Sequence, residues 1–154
     1  MTESYLSPAG KQSQILTLKP EDPTIVYKGD NVTLEWRYYY PGTGFKLIEV
    51  FFGIWTNPVS AASSKLIVVN SSGFVQFRKE YKARLSWKGN MTSSSAVFVL
   101  HNVRPEDGNK YYGIHVEFDL HYPLIDTLKL EVKEKSKRHH LYDDKRSETD
   151  MSPD

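Results

Sequence analysis

Residues 29–36 read G-D-N-V-T-L-E-W, in which Val32, Leu34 and Trp36 alternate with Thr33 and Glu35. A period of two sets the apolar side chains on one face of an extended strand and the polar ones on the other. Signals of this kind recur at short intervals along the chain while helical periodicity stays weak. The expected class is therefore all-β, a sandwich or barrel.

A broken first strand is expected over residues 15–19 and 24–27, split by Pro20 and Pro23, because proline cannot donate into a central ladder. Residues 46–55 are apolar on both faces, the pattern of a central strand. Residues 66–69 and 74–77 flank Asn70-Ser71-Ser72-Gly73 and read as a hairpin. Further strands are expected at 84–87, 96–100, 111–118 and 127–132. Beyond Glu134 the chain is charged and nearly without apolar anchors, which predicts disorder. The expected organisation is a flexible segment at 1–12, a domain at 13–134 and a disordered charged tail at 135–154.

A length of 154 residues suits one domain with one core. Lys and Arg total 20 against 19 Asp and Glu, a formal net charge of +1. Such a balance supplies no field to gather nucleic acid or an anionic membrane, and neither partner is expected. The absence of cysteine excludes a disulfide framework and thiolate chemistry. A domain of this size tolerates that loss, which amounts to roughly 2 to 4 kcal/mol per bridge. No stretch approaches the roughly 18 to 20 apolar residues of a membrane span, and residues 1–10 lack the apolar centre of a signal peptide. The chain reads either as cytosolic or as a piece of a larger secreted precursor.

Four segments in order resemble a V-set immunoglobulin domain over residues 15–133. Residues 29–36 are similar to the family's G-D-x-V-T-L-x-C, with Trp36 at the first cysteine position. Arg84 and Asp107 stand where the family has a paired arginine and aspartate. Residues 96–107 show the alternation of the fifth strand, with Ala96, Phe98, Leu100 and Val103 inward. Residues 104–116, R-P-E-D-G-N-K-Y-Y-G-I-H-V, resemble a corner in which aspartate is followed four residues on by tyrosine and two further by cysteine. Here these are Asp107, Tyr111 and Gly113.

The resemblance implies a Greek-key, two-sheet immunoglobulin-like sandwich in which Trp36 packs against Gly113 in place of the disulfide. It also implies an Arg84 to Asp107 ion pair and a Tyr111 hydroxyl tied back to the turn. Two features depart from the family: its third-strand tryptophan has no clear counterpart, Phe52 or Ile54 lying nearest, and the last strand lacks the glycine bulge of antibody joining segments. A narrower likeness is to cysteine-free ectodomains of cnidarian allorecognition and adhesion proteins.

V-set domains commonly meet partners through the outer face of their G, F, C and C′ strands. With Gly113 inward, Tyr112, Ile114, Val116 and Phe118 would point outward beside Leu47, Phe51 and Trp55. A bulge at Gly113 would instead turn the first four into core and send His115 and Glu117 to solvent; both registers stay open. At one end, residues 38–45 and 119–124 are expected as neighbouring loops that present Tyr38, Tyr39, Tyr40, His121 and Tyr122. Those rings are either paratope-like contact area or a cap on the open end of the core. Asn31, Asn70 and Asn90 each begin an N-x-S/T sequon.

None of the nucleophile-elbow, P-loop, dinucleotide or H-E-x-x-H motifs occurs, so no catalytic residue, cofactor or metal site is assigned. His115 with Glu117 reads as a surface pair, and His139, His140, Asp143 and Asp144 form a loose cluster on the tail. The expected function is non-enzymatic protein recognition or cell adhesion at an extracellular or cell-surface location, with self among the candidate partners. The alternatives are an intracellular structural immunoglobulin module, which needs no disulfide, and a carbohydrate-binding module using Trp55, Trp87 and the loop tyrosines.

Overall fold

In the computed structural model, which describes residues 16–39 and 46–134, the prolines divide the first strand between two sheets. β1 (Leu16–Leu18) pairs antiparallel with β3 (Val32–Tyr38), whereas β2 (Thr24–Tyr27) crosses over to pair in parallel with β10 (His121–Lys133). Pro20 and Pro23 lie between, where neither owes a ladder hydrogen bond. The other strands are β4 (Leu47–Trp55), β5 (Ala62–Asn70), β6 (Val75–Phe77), β7 (Leu85–Trp87), β8 (Ser95–Leu100) and β9 (Lys110–Phe118). They form a four-stranded sheet ordered β1-β3-β8-β7 and a six-stranded sheet ordered β2-β10-β9-β4-β5-β6. The expected all-β, two-sheet sandwich is the observed fold.

The core lies between the inner faces. Val32, Leu34, Trp36 and Tyr38 of β3 are buried against Phe98 and Leu100 of β8, Val50 and Phe52 of β4, Ile114 and Val116 of β9, and Leu128 and Leu130 of β10. Each such apolar side chain withdrawn from water contributes on the order of 1.5 to 3 kcal/mol. At the centre, the Trp36 ring lies 6.3 Å from both Phe52 and Phe98. Phe52 in turn stacks on Phe98 at 4.7 Å and on Tyr112 at 5.9 Å.

A buried indole N–H must find an acceptor. Trp36 Nε1 donates to Asp126 Oδ2 at 2.8 Å. Trp36 belongs to the four-stranded sheet and Asp126 to the six-stranded one, so this hydrogen bond links the two layers in a chain that has no disulfide to do so.

The corner before β9 differs from the sequence expectation. It is one residue longer than the family's pattern, with Asn109 in the left-handed region at φ 57, and the tyrosine that closes it is Tyr112, not Tyr111. Ile114, two residues on, therefore occupies the second cysteine position. Gly113 does not face Trp36: it pairs with Gly53 across β4 and β9, and a Cβ there would lie 2.2 Å from the Asp126 carbonyl oxygen. Close backbone approach, not room for the indole, requires glycine at 113.

The last hairpin departs as well. Residues 119–124 are not a long loop; Phe118 pairs with His121, leaving Asp119 and Leu120 at the turn. Pro123 is accommodated because the register slips between His121 and Leu124, and β2 covers β10 only from Leu130 onward.

Candidate functional site

The corner that orders the β8–β9 end is built on Asp107. Its carboxylate accepts from Arg84 at 3.2 Å (Nη1 to Oδ1) and 2.5 Å (Nη2 to Oδ2) and from the Arg104 backbone N–H at 2.8 Å. Burial by itself would raise the Asp107 pKa, but the Arg84 hydrogen bonds, the Arg104 N–H and the Arg84 charge outweigh it and hold the carboxyl below its ordinary value. The Tyr112 hydroxyl donates to the Asp107 carbonyl oxygen at 2.8 Å, and burial holds that phenol protonated far above the usual range. Tyr112→Phe should cost about 1 to 2 kcal/mol in a urea titration, since it leaves a buried carbonyl unpaired. Tyr111→Phe serves as the control and should cost nothing measurable.

Of the two arrangements left open for β9, the structure takes the one in which the four candidate contact residues are core and not surface. Tyr112, Ile114, Val116 and Phe118 are all buried on the inner face of β9. The longer corner sets that register, and His115 and Glu117 take the outer face. A test of binding at Ile114 would therefore report unfolding.

Phe51 and Trp55 do lie outside the main core, on the outer face of β4, yet both are buried. Gly53 stands between them with no side chain, so the two rings meet at 5.9 Å with planes 14° apart. His115 stacks on the opposite flank of Phe51 at 4.7 Å, and Lys65 Nζ sits 4.7 Å from the Phe51 centroid. Lys65 also reaches Glu49 at 3.6 Å, and His115 reaches Glu117 at 2.6 Å. This aromatic layer is roofed by polar side chains of the same chain. Trp55 Nε1 is buried with no hydrogen-bond partner among the described residues. Trp87 packs on Phe98 at 5.1 Å. Trp55 is buried and offers no exposed face on which a sugar could stack, whereas Trp87 is half-buried.

Of the end-loop tyrosines, Tyr38 is a buried cap with its hydroxyl 3.9 Å from Met91 Sδ, whereas Tyr39 is exposed. Tyr40 falls outside the described residues. His121 lies edge-on to Phe118 at 5.9 Å, and Tyr122 is 73% exposed.

The residue that sequence reasoning missed is Leu120. It sits at the β9–β10 turn with φ 62 and is 82% exposed. Among the described residues, the other non-glycine residues in the left-handed region are Ser94, Asn102 and Asn109, all small and polar. The turn adjoins the start of β4 through the Asp119 N–H, which donates to the Lys46 carbonyl at 2.7 Å. Exposed Ile48 follows there, and Phe74 is exposed beyond Asn70, which pairs with Glu49 of β4. Leu120, Tyr122, Ile48 and Phe74 thus form an apolar rim along one end of the six-stranded sheet, with Ile125 exposed below Tyr122 on β10.

Among the described residues no group of three or more His, Cys, Asp or Glu could hold a metal ion, and no helix is long and apolar enough to cross a membrane. The tail histidines and aspartates lie outside the described residues.

No family profile matches the chain, and no curated protein sequence does. Among solved structures, murine CRIg, a V-set immunoglobulin-like protein, is similar over 79% of this chain and 98% of its own, with a TM-score of 0.56 and 15% identity. At that identity the likeness defines the fold alone, an immunoglobulin-like two-sheet sandwich.

Proposed function

We propose that this chain is a non-enzymatic protein-recognition domain of the adhesion type, displayed outside the cell, which docks through the rim around Leu120 with a second copy of itself as partner. The observation that carries the reading is Leu120. A bulky side chain in the left-handed region costs on the order of 1 to 2 kcal/mol, and the fold gains no burial from this one. Glycine would satisfy the turn better. Local strain retained at an exposed apolar side chain, with others exposed beside it, supports a contact role.

The β5–β6 hairpin supports the surface reading over an intracellular structural module, in which that region is usually shorter; the absence of cysteine supports the rival. Sedimentation velocity over a rising concentration series tests the proposal. The parent should associate, and Leu120→Gly should sediment as a monomer while melting no earlier than the parent. Tyr122→Ser should weaken association in the same direction. Association that is unchanged in both variants would remove the rim from the reading.

A further inference from the structure

We propose that Asn31, Asn70 and Asn90 each carry an N-linked glycan when the chain passes through a secretory pathway, an inference that rests on the extracellular reading above. Three of the six asparagines lie in sequons, and the fold treats those three alike. Each is exposed, and each uses only its carbonyl oxygen. Asn31 Oδ1 accepts from the Asn102 N–H at 2.9 Å. Asn70 Oδ1 accepts from the Ser72 N–H, the Ser72 hydroxyl and the Phe74 N–H, all at 3.0 Å. Asn90 Oδ1 accepts from the N–H groups of Thr92 at 2.8 Å and Ser93 at 3.1 Å.

The Nδ2 atoms donate to nothing among the described residues. In the transfer, Nδ2 loses one proton and bonds the anomeric carbon of a lipid diphosphate-linked oligosaccharide, whose bond to the diphosphate breaks. The Oδ1 atom stays an acceptor, so the modified side chain keeps every hydrogen bond it makes in the fold. Turn chemistry explains the asparagines and the Ser72 hydroxyl, which donates to Asn70. It does not explain Thr92, whose hydroxyl makes no bond among the described residues; Thr33 is also an outward residue of β3.

The three positions are also spread apart. Asn31 precedes β3 at one end of the sandwich, Asn90 lies between β7 and β8, and Asn70 closes the β5–β6 turn beside Phe74. None lies on β9, β10 or the Leu120 turn. A glycan on Asn70 would stand on the Phe74 side of the rim, leaving the Leu120 and Tyr122 side open to a partner.

The test is expression of the full chain behind a secretion leader in a eukaryotic host, read by intact mass before and after amidase release of N-glycans. Three glycan-sized increments are expected. Thr33→Ala, Ser72→Ala and Thr92→Ala should each remove one; the threonine variants leave the asparagine carbonyl contacts in place, and Ser72→Ala leaves Asn70 Oδ1 its two backbone donors. Peptide mapping of the parent, in which release converts each occupied asparagine to aspartate, assigns the sites without any variant. A secreted, folded parent lacking any of the three increments overturns the proposal. A parent that carries all three yet never self-associates supports it and counts against the docking reading alone.

Discussion

Trp36→Ala should lower the stability of the domain by about 3 to 5 kcal/mol in a chemical denaturation series, the range for emptying a large aromatic site that the surroundings refill only in part. Trp36 is fully buried and meets Phe52 and Phe98, so the cavity would open in the middle of the sandwich. A second effect adds to the first, because the substitution strips the Asp126 carboxylate of its indole donor. Two further variants separate the terms. Asp126→Asn keeps an acceptor and should stay close to the parent, whereas Asp126→Ala leaves the indole N–H unpaired and should cost about 1 to 3 kcal/mol. A loss below about 1 kcal/mol for Trp36→Ala would show that the indole is not central to the core.

Arg84→Ala should cost a comparable amount, about 3 to 5 kcal/mol, because it abandons a carboxylate that the fold has already withdrawn from water. Only 4% of the Asp107 side chain and 14% of the Arg84 side chain remain exposed. The same pair predicts the response to acid. The folded-state pKa of Asp107 lies below its ordinary value of 3.8, so its contribution is complete above that value and is lost as the pH falls through the folded value. Stability of the parent should therefore decline as the pH drops below 3.8 more steeply than that of Asp107→Asn, which has no such proton to take up. Parallel slopes in urea titrations across that range would show that the pair is not what acid breaks.

Much of the architecture is legible along the chain because strand burial writes itself as a period of two. Val32, Leu34 and Trp36 on β3 and Phe98 and Leu100 on β8 lie inward as their alternation predicts. The split of the first strand follows from two prolines. The Arg84 to Asp107 pair follows from the spacing of a resembled motif.

What escaped depends on counts of one residue. A corner longer by Asn109 moves the closing tyrosine from Tyr111 to Tyr112, and a shift of one exchanges the two faces of a strand. That shift decides between the two registers that the sequence left open and places Ile114, Val116 and Phe118 in the core. Asp126 carried a signal that went unread, a lone carboxylate in the inward series Leu124, Asp126, Leu128 and Leu130.

The strand pattern specified an all-β fold, the resembled motifs implied a two-layer sandwich, and the absence of cysteine meant that its layers had to be joined without a disulfide. The means of joining them, Trp36 to Asp126, was decided only when residues 90 positions apart met in space. The surface followed the same rule. Local sequence states that Leu120 is apolar, but its exposure and left-handed backbone arise from how β9 turns into β10 beside β4. Alternation is a local property, whereas register and partner choice depend on contacts between distant segments.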